Sequence, residues 1–96
     1  MYRDDPLDDE AELRAIVGDD PVDTLLDAEP ADGREPLEVA LDVLRVLQGW
    51  VEDDAAGRWF TTPQGRLDRR TPVDALAAGH QEEVEDAARA WVAAQG

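Results

Sequence analysis

The sequence predicts a small all-α protein, a single-domain helical bundle of about five or six short helices. Three observations support this prediction: apolar residues recur at spacings of three and four, prolines and glycines mark helix starts and stops, and no segment alternates like a strand. With 96 residues and a hydrophobic content of 43%, the chain can build one core and is too short for two.

The first two predicted helices lie in the N-terminal part of the chain. The first has one apolar face, which is formed by Leu7, Leu13, Ile16 and Val17. Gly18 follows this face and is typical of a helix stop. Asp20 before Pro21 predicts the start of the second helix, with the aspartate as the cap and the proline at the first position. Residues 29–36 are rich in turn formers and predict a connecting loop.

The strongest helical periodicity follows this loop and predicts a central helix over about residues 36–51. Its apolar stripe comprises Leu37, Ala40, Leu41, Leu44, Leu47 and Val51. Asp53 and Asp54 can cap a further short helix, which Pro63 ends. Trp50, at the end of the central helix, is the tryptophan that we expect to be most exposed.

Two more helices are predicted in the last third of the chain. Thr71 before Pro72 repeats the pattern of a cap followed by proline, and Gly79 is placed to close that helix in a left-handed conformation. The last helix is predicted over roughly residues 80–95, where small and apolar residues share one face.

The charge of the chain is strongly negative and unevenly distributed. The sequence has 24 acidic residues and 9 basic ones, all of them arginine, and residues 1–38 hold 14 of the acids against three arginines. Such a surface repels DNA and RNA, so we expect no direct nucleic-acid binding. The acidity indicates either adaptation to a salty cytoplasm and general solubility, or a functional acidic face.

The residues that usually carry chemistry are sparse. The chain has no cysteine and a single histidine, His80, and neighbouring carboxylates such as Asp53 and Asp54 diverge by about 100° on a helix. We therefore expect no catalytic residue, no cofactor and no metal site, and the protein is not predicted to be an enzyme. No apolar stretch is long enough to span a membrane and the N-terminus is acidic, which favours the cytoplasm.

One segment departs from the acidic trend, because Arg58, Arg66, Arg69 and Arg70 stand there against the single acid Asp68. Two interpretations remain open. The arginines pair internally with the acidic N-terminal part, or they form a contact surface, for which the flat guanidinium with its several donors is well suited.

The same segment carries a resemblance to a known family. Trp59-Phe60-Thr61-Thr62-Pro63-Gln64, then Leu67, Arg70-Thr71-Pro72-Val73-Asp74 and Leu76, and finally Gly79 and Val84, resemble the toxin-binding domain of Xre/MbcA/ParS-type antitoxins. The resemblance covers about residues 37–96, which divides the chain into an acidic helical N-terminal extension, 1–36, and a toxin-binding-like helical domain, 37–96. Residues 1–36 contain no recognisable helix-turn-helix.

The resemblance implies a helical module that binds and neutralises a RES-type, NAD-degrading toxin by blocking its active site. Together with the arginine segment, it suggests a set of partner-binding residues: Arg58, Trp59, Pro63, Gln64, Arg66, Arg69, Arg70 and Asp74. Family members usually have asparagine at position 64 and glycine at position 69, so a left-handed backbone at Arg69 would be strained. The alternatives are an acidic decoy that mimics nucleic acid and a homodimeric assembly domain without a toxin partner.

Overall fold

The computed structural model describes residues 6–31 and 33–95, with side chains from residue 9 onward. This part of the chain forms six α-helices and one 3-10 turn, Gly65–Leu67, and none of these helices is long and apolar enough to cross a membrane. The all-α fold class predicted from the sequence is confirmed. The helices are α1 (Pro6–Val17), α2 (Asp19–Asp27), α3 (Pro36–Gln48), α4 (Asp53–Thr61), α5 (Pro72–Ala77) and α6 (Gln81–Gln95).

All six helices contribute to one hydrophobic core. Its largest fully buried side chains come from both halves of the sequence: Leu13, Val22, Leu25, Val39, Leu44, Leu47, Phe60, Leu76 and Val84. The first three belong to α1 and α2, so the predicted boundary at residue 36 falls between helices that share this core. Leu7, which was predicted to lie on the apolar face of the first helix, is outside the residues whose side chains are described.

The junction between α1 and α2 differs from the prediction at one point. Gly18 ends α1 as expected and has a φ of 112°, a conformation that glycine adopts readily. This backbone turn lets α2 begin at Asp19, so the prediction of a capping Asp20 followed by a first-position Pro21 is wrong. Pro21 is the third residue of α2, where its missing N–H has no helical partner to lose.

The central helix is shorter than predicted. α3 ends at Gln48 rather than near Val51, because Gly49 and Trp50 form a turn in which the N–H groups of Trp50 and Val51 both donate to the Leu47 carbonyl. Trp50 is 61% exposed, as expected. At the start of α4, Glu52 occupies the cap position and makes no side-chain capping bond, while the predicted caps Asp53 and Asp54 lie in the first turn. Carboxylates there are stabilised by the helix dipole.

α1 crosses α4 at a glycine. Gly57 is buried, and a β-carbon added to it would lie 2.2 Å from the backbone oxygen of Ile16. The two helix backbones therefore approach so closely that only a residue without a side chain fits at this point. This contact ties the acidic N-terminal helices to the helix that carries Arg58 and Trp59.

The start of α5 agrees with the sequence prediction. Thr71 is the cap, its hydroxyl accepts a bond from the Asp74 backbone N–H at 3.1 Å, and Pro72 is the first helical residue. Gly79 follows α5 with a φ of 91°, the left-handed conformation expected of it. α6 then begins at Gln81, whose buried side chain donates to the Arg34 carbonyl at 3.0 Å.

Ion pairs connect the acidic N-terminal part to the rest of the bundle. Arg14 joins α1 to α2 by bonding Asp23 at 2.8 Å, and Arg45 on α3 lies 3.0 Å from Glu12 on α1. Arg34, in the loop before α3, reaches Glu85 on α6 with two guanidinium nitrogens at 3.0 and 3.2 Å. These hydrogen-bonded pairs hold neighbouring helices in register.

The Arg34–Glu85 pair predicts a pH dependence of stability. The hydrogen bond from Arg34 lowers the pKa of Glu85 below its ordinary value of 4.5. A carboxylate whose folded-state pKa is depressed contributes stability that is present above the unfolded pKa and is lost as the pH falls through the lower folded value. We therefore expect Glu85→Gln to show a smaller fall in melting temperature than the wild type between about pH 6 and pH 3.

Circular dichroism melts of the two proteins measure this difference. Glu82→Gln is the matched control, because Glu82 is an exposed glutamate of the same helix and makes no ion pair among the described residues. Its acid profile should follow that of the wild type. Identical profiles for Glu85→Gln and the wild type would contradict the assignment.

Candidate protein-binding surface

The residues predicted for partner binding lie in the segment from Arg58 to Asp74, which comprises the end of α4, the following loop and the first turn of α5. Within this segment Trp59 belongs to the hydrophobic core and is only 3% exposed. Its ring packs edge-on against Phe60 with centroids 5.4 Å apart, and it lies 6.2 Å from the ring of Trp91 on α6. The structure thus places Trp59 beneath the surface, where it fixes the position of its exposed neighbours.

Gln64 closes the loop that follows α4. Its side-chain nitrogen donates to the carbonyls of Trp59 at 3.2 Å and Thr62 at 3.0 Å, which satisfies oxygens left free at the helix end. Its backbone N–H donates to the Arg70 carbonyl at 3.0 Å, and its own carbonyl accepts from the Arg69 N–H at 2.9 Å. Residues 64–70 are therefore a closed loop whose two ends are hydrogen-bonded to each other.

The tip of this loop has an unusual backbone. Asp68 and Arg69 have φ angles of 57° and 68°, and the Arg70 N–H donates to the Leu67 carbonyl at 3.1 Å. Two successive positive φ angles closed by this bond are typical of a type I′ turn. Leu67 is buried and anchors the turn, so Arg69 is held in the left-handed conformation that strains a residue with a β-carbon.

Relief of this strain should stabilise the protein. We expect Arg69→Gly to raise the free energy of unfolding by about 0.5–1 kcal/mol, because glycine adopts positive φ freely but loses more backbone entropy on folding. The matched control is Arg66→Gly, which lies in the 3-10 turn of the same loop, where φ is not positive. That substitution should be neutral or destabilising. Chemical denaturation measures both, and a less stable Arg69→Gly would contradict the strain.

The sequence-predicted residues occupy three kinds of position. Six are exposed, Gln64 is half-buried and Trp59 is buried; the exposed ones are Arg58, Pro63, Arg66, Arg69, Arg70 and Asp74. Some of these predicted residues line two neighbouring open cavities. One, of about 300 Å³, is lined by Arg58, Trp59 and Gln64, and the other, of about 490 Å³, by Gln64 and Arg66. Pro63, Arg69, Arg70 and Asp74 line neither.

Sequence reasoning missed the contribution of α6 to this surface. Trp91 lines both cavities, and the small side chains Ala87, Ala90 and Ala94 line the larger one. Their spacing of three and four residues puts them on one helical face. Ala87 and Trp91 belong to the apolar face predicted for the last helix, and Trp91 is partly exposed. Ala90, which is partly exposed, and Ala94, which is exposed, were not part of that prediction.

The eight arginines of the described residues fall into two groups. Arg14, Arg34, Arg45 and Arg89 each contact at least one carboxylate within 4.0 Å. Within residues 9–31 and 33–95, by contrast, no salt bridge or side-chain hydrogen bond engages the other four: Arg58, Arg66, Arg69 and Arg70. The acidic residues of α1 pair with Arg14 and Arg45 instead. The described residues therefore do not support internal ion pairing of the arginine segment.

The carboxylates of the described chain are spread over its surface. No group of three or more histidine, aspartate or glutamate side chains there is placed to hold a metal ion. His80, which precedes α6, lies 3.1 Å from Glu83 in the first turn of that helix.

Comparison of this chain with models of protein families, with curated proteins and with solved structures finds no match. Its candidate site is therefore interpreted from its own geometry.

Proposed function

We propose that this protein is an antitoxin-like binding module that sequesters and neutralises a RES-type, NAD-degrading toxin in the cytoplasm. The observation that carries the proposal is the group of four exposed arginines at residues 58–70, which make no ion pair with the described acidic residues of a chain with net charge −15. Exposed guanidinium groups that have no carboxylate partner among the described residues are available for the carboxylates and carbonyls of a partner protein.

The rigidity of the surface supports the proposal. The loop of residues 64–70 is closed by hydrogen bonds at both ends and anchored by the buried Leu67, and Trp59 packs under it. A preorganised surface loses little conformational entropy on binding, which favours affinity. The proposed role is inhibition by occupation of the partner, and it requires no catalytic group, cofactor or metal ion from this chain.

The resemblance to Xre/MbcA/ParS-type toxin-binding domains supplies the identity of the partner. The chain departs from the family pattern at Gln64, at Arg69 and at Ala77, which replaces the second leucine of the pattern. The first two of these residues have defined local roles. Gln64 bonds the end of α4 with its side chain, and Arg69 adopts a left-handed backbone of the kind that glycine would allow. A left-handed backbone at the position where the family usually has glycine supports the proposal.

Coexpression tests this function. The chain is produced together with the RES-type toxin encoded by a neighbouring gene, and growth, cellular NAD and copurification are measured. We expect the chain to copurify with the toxin and to restore both growth and NAD. Continued NAD loss without copurification, or the lack of any such toxin gene, would contradict the proposal.

A second candidate, a homodimeric assembly domain, is favoured by one observation. Trp50 and Val46 are 61% and 42% exposed at the end of α3, and both are apolar residues that a partner copy could cover. Light scattering separates the candidates, because a dimer that Trp50→Ser converts to a monomer supports assembly through this patch. A monomer at high concentration contradicts it.

A further inference from the structure

A shallow groove runs between the loop after α4 and the exposed side of α6. The two cavities described above share Gln64 and Trp91, so they lie side by side and form one groove. Their volumes of about 300 and 490 Å³ together fall within the range of small binding sites. Ala87, Ala90 and Ala94 line the larger cavity, and such small side chains leave room for the side chains of an occupant.

The groove contains a hydrogen-bond donor that has no acceptor. Trp59 lines the smaller cavity, and its indole nitrogen is buried without a hydrogen-bond partner among the described residues. Buried polar atoms in folded proteins nearly always have a partner, and buried tryptophan N–H groups usually find one. Because the Trp59 ring borders the smaller cavity, an occupant of the groove would change the surroundings of this N–H.

The groove also differs from the rest of the surface in charge. Its described lining includes two arginines and no acidic residue, with Arg58 at the smaller cavity and Arg66 at the larger one. Three other cavities of the described surface are each lined in part by aspartate or glutamate. In a chain with 24 acidic residues, this is the groove whose charge suits an acidic occupant.

We propose that this groove binds an extended, acidic segment of the partner protein. Carboxylates of the segment pair with Arg58 and Arg66, and a small apolar side chain packs against Trp91. The inference rests on the proposed binding function and specifies which chemistry of the partner this surface recognises.

Nuclear magnetic resonance tests the groove with a defined probe. The probe is the acetylated and amidated heptapeptide Val-Glu-Val-Glu-Val-Glu-Val, compared with the same peptide carrying Gln in place of Glu. The chain gives three indole N–H signals, and the exposed Trp50, which lines neither cavity, is an internal control. We expect saturable shifts of the Trp59 and Trp91 signals with an unchanged Trp50 signal, and binding at least about tenfold weaker for the Gln peptide.

Two variants of α6 separate the groove from the surrounding surface. Ala90→Trp fills the larger cavity and should abolish binding of the acidic peptide, whereas Ala93→Trp, on an exposed position of the same helix that does not line the groove, should leave it intact. If Ala90→Trp fails to fold, Ala94→Trp takes its place. Absence of peptide binding, equal shifts at Trp50, or undiminished binding by the filled variant would overturn the proposal.

The same variants distinguish failure of this inference from failure of the proposed function. If the RES-type toxin binds wild-type protein and Ala90→Trp equally well, the groove is not the recognition site and the antitoxin function stands. If the acidic peptide binds as expected but no toxin does, the groove stands and the toxin is the wrong partner.

Discussion

Replacement of Gly57 by alanine is expected to lower the free energy of unfolding by about 3 kcal/mol, which corresponds to a fall in melting temperature of about 15 °C for a domain of this size. The added β-carbon would lie 2.2 Å from the Ile16 backbone oxygen and 3.2 Å from its carbonyl carbon. Both atoms belong to a helix backbone and cannot move aside like the end of a flexible side chain. α1 must therefore separate from α4, and the core between them loses contacts.

The expected loss of stability is opposite in sign to the change that helix propensity alone would give. Alanine in place of glycine within a helix stabilises it by about 1 kcal/mol when nothing opposes the added methyl group. Gly65→Ala is the matched control, because a β-carbon there meets no atom within 4 Å and the φ of Gly65 is not positive. That variant should keep wild-type stability. Thermal melts compare the two, and a stabilised Gly57→Ala would show that the helices do not cross as closely as described.

Removal of residues 1–36 is expected to abolish cooperative folding of the remainder. Leu13, Val22 and Leu25 are at most 1% exposed and belong to the common core. Full burial of three such side chains contributes about 5–8 kcal/mol in total, which is comparable to the whole stability of a typical domain. The truncated chain, 37–96, should therefore lack a sharp thermal transition and fixed near-ultraviolet signals from its tryptophans.

Complementation provides the control for this truncation. A synthetic peptide of residues 1–36 added to residues 37–96 should restore helical signal and a cooperative transition, because it returns the missing part of the core. A chain of residues 37–96 that melts cooperatively within about 10 °C of the full-length protein would contradict this expectation. It would identify the N-terminal helices as a separable extension.

Much of the fold could be predicted from the sequence because its helix signals are local. Thr71 followed by Pro72, and the glycines at positions 18 and 79, determine starts and stops through their own backbone chemistry. The predicted start of α2 and the predicted end of α3 were wrong. Gly18 turns the chain early enough for α2 to begin at Asp19, and α3 ends at Gln48 although its apolar spacing continues to Val51.

The candidate surface could be predicted only in part. The excess of arginine was visible in the sequence, but the separation of paired from unpaired arginines depends on distances between helices that are far apart in the chain. Trp91 enters the groove because α6 packs beside the loop of residues 64–70, a contact that no local pattern encodes. The close approach at Gly57 was likewise invisible, since a glycine within a helix predicts only lower helix stability.

The most direct test of the binding surface is the affinity of the RES-type toxin for a variant that lacks three of its arginines. Arg58→Gln/Arg66→Gln/Arg70→Gln removes the charges and leaves polar side chains in their place, while Arg69 is kept because its backbone is left-handed. Arg89→Gln is the matched control, because Arg89 is exposed, pairs with Asp86 and lines a different cavity. We expect the triple variant to bind about 100-fold more weakly than the wild type, and the control to bind within about threefold of it. A triple variant with wild-type affinity would contradict the assignment of this surface.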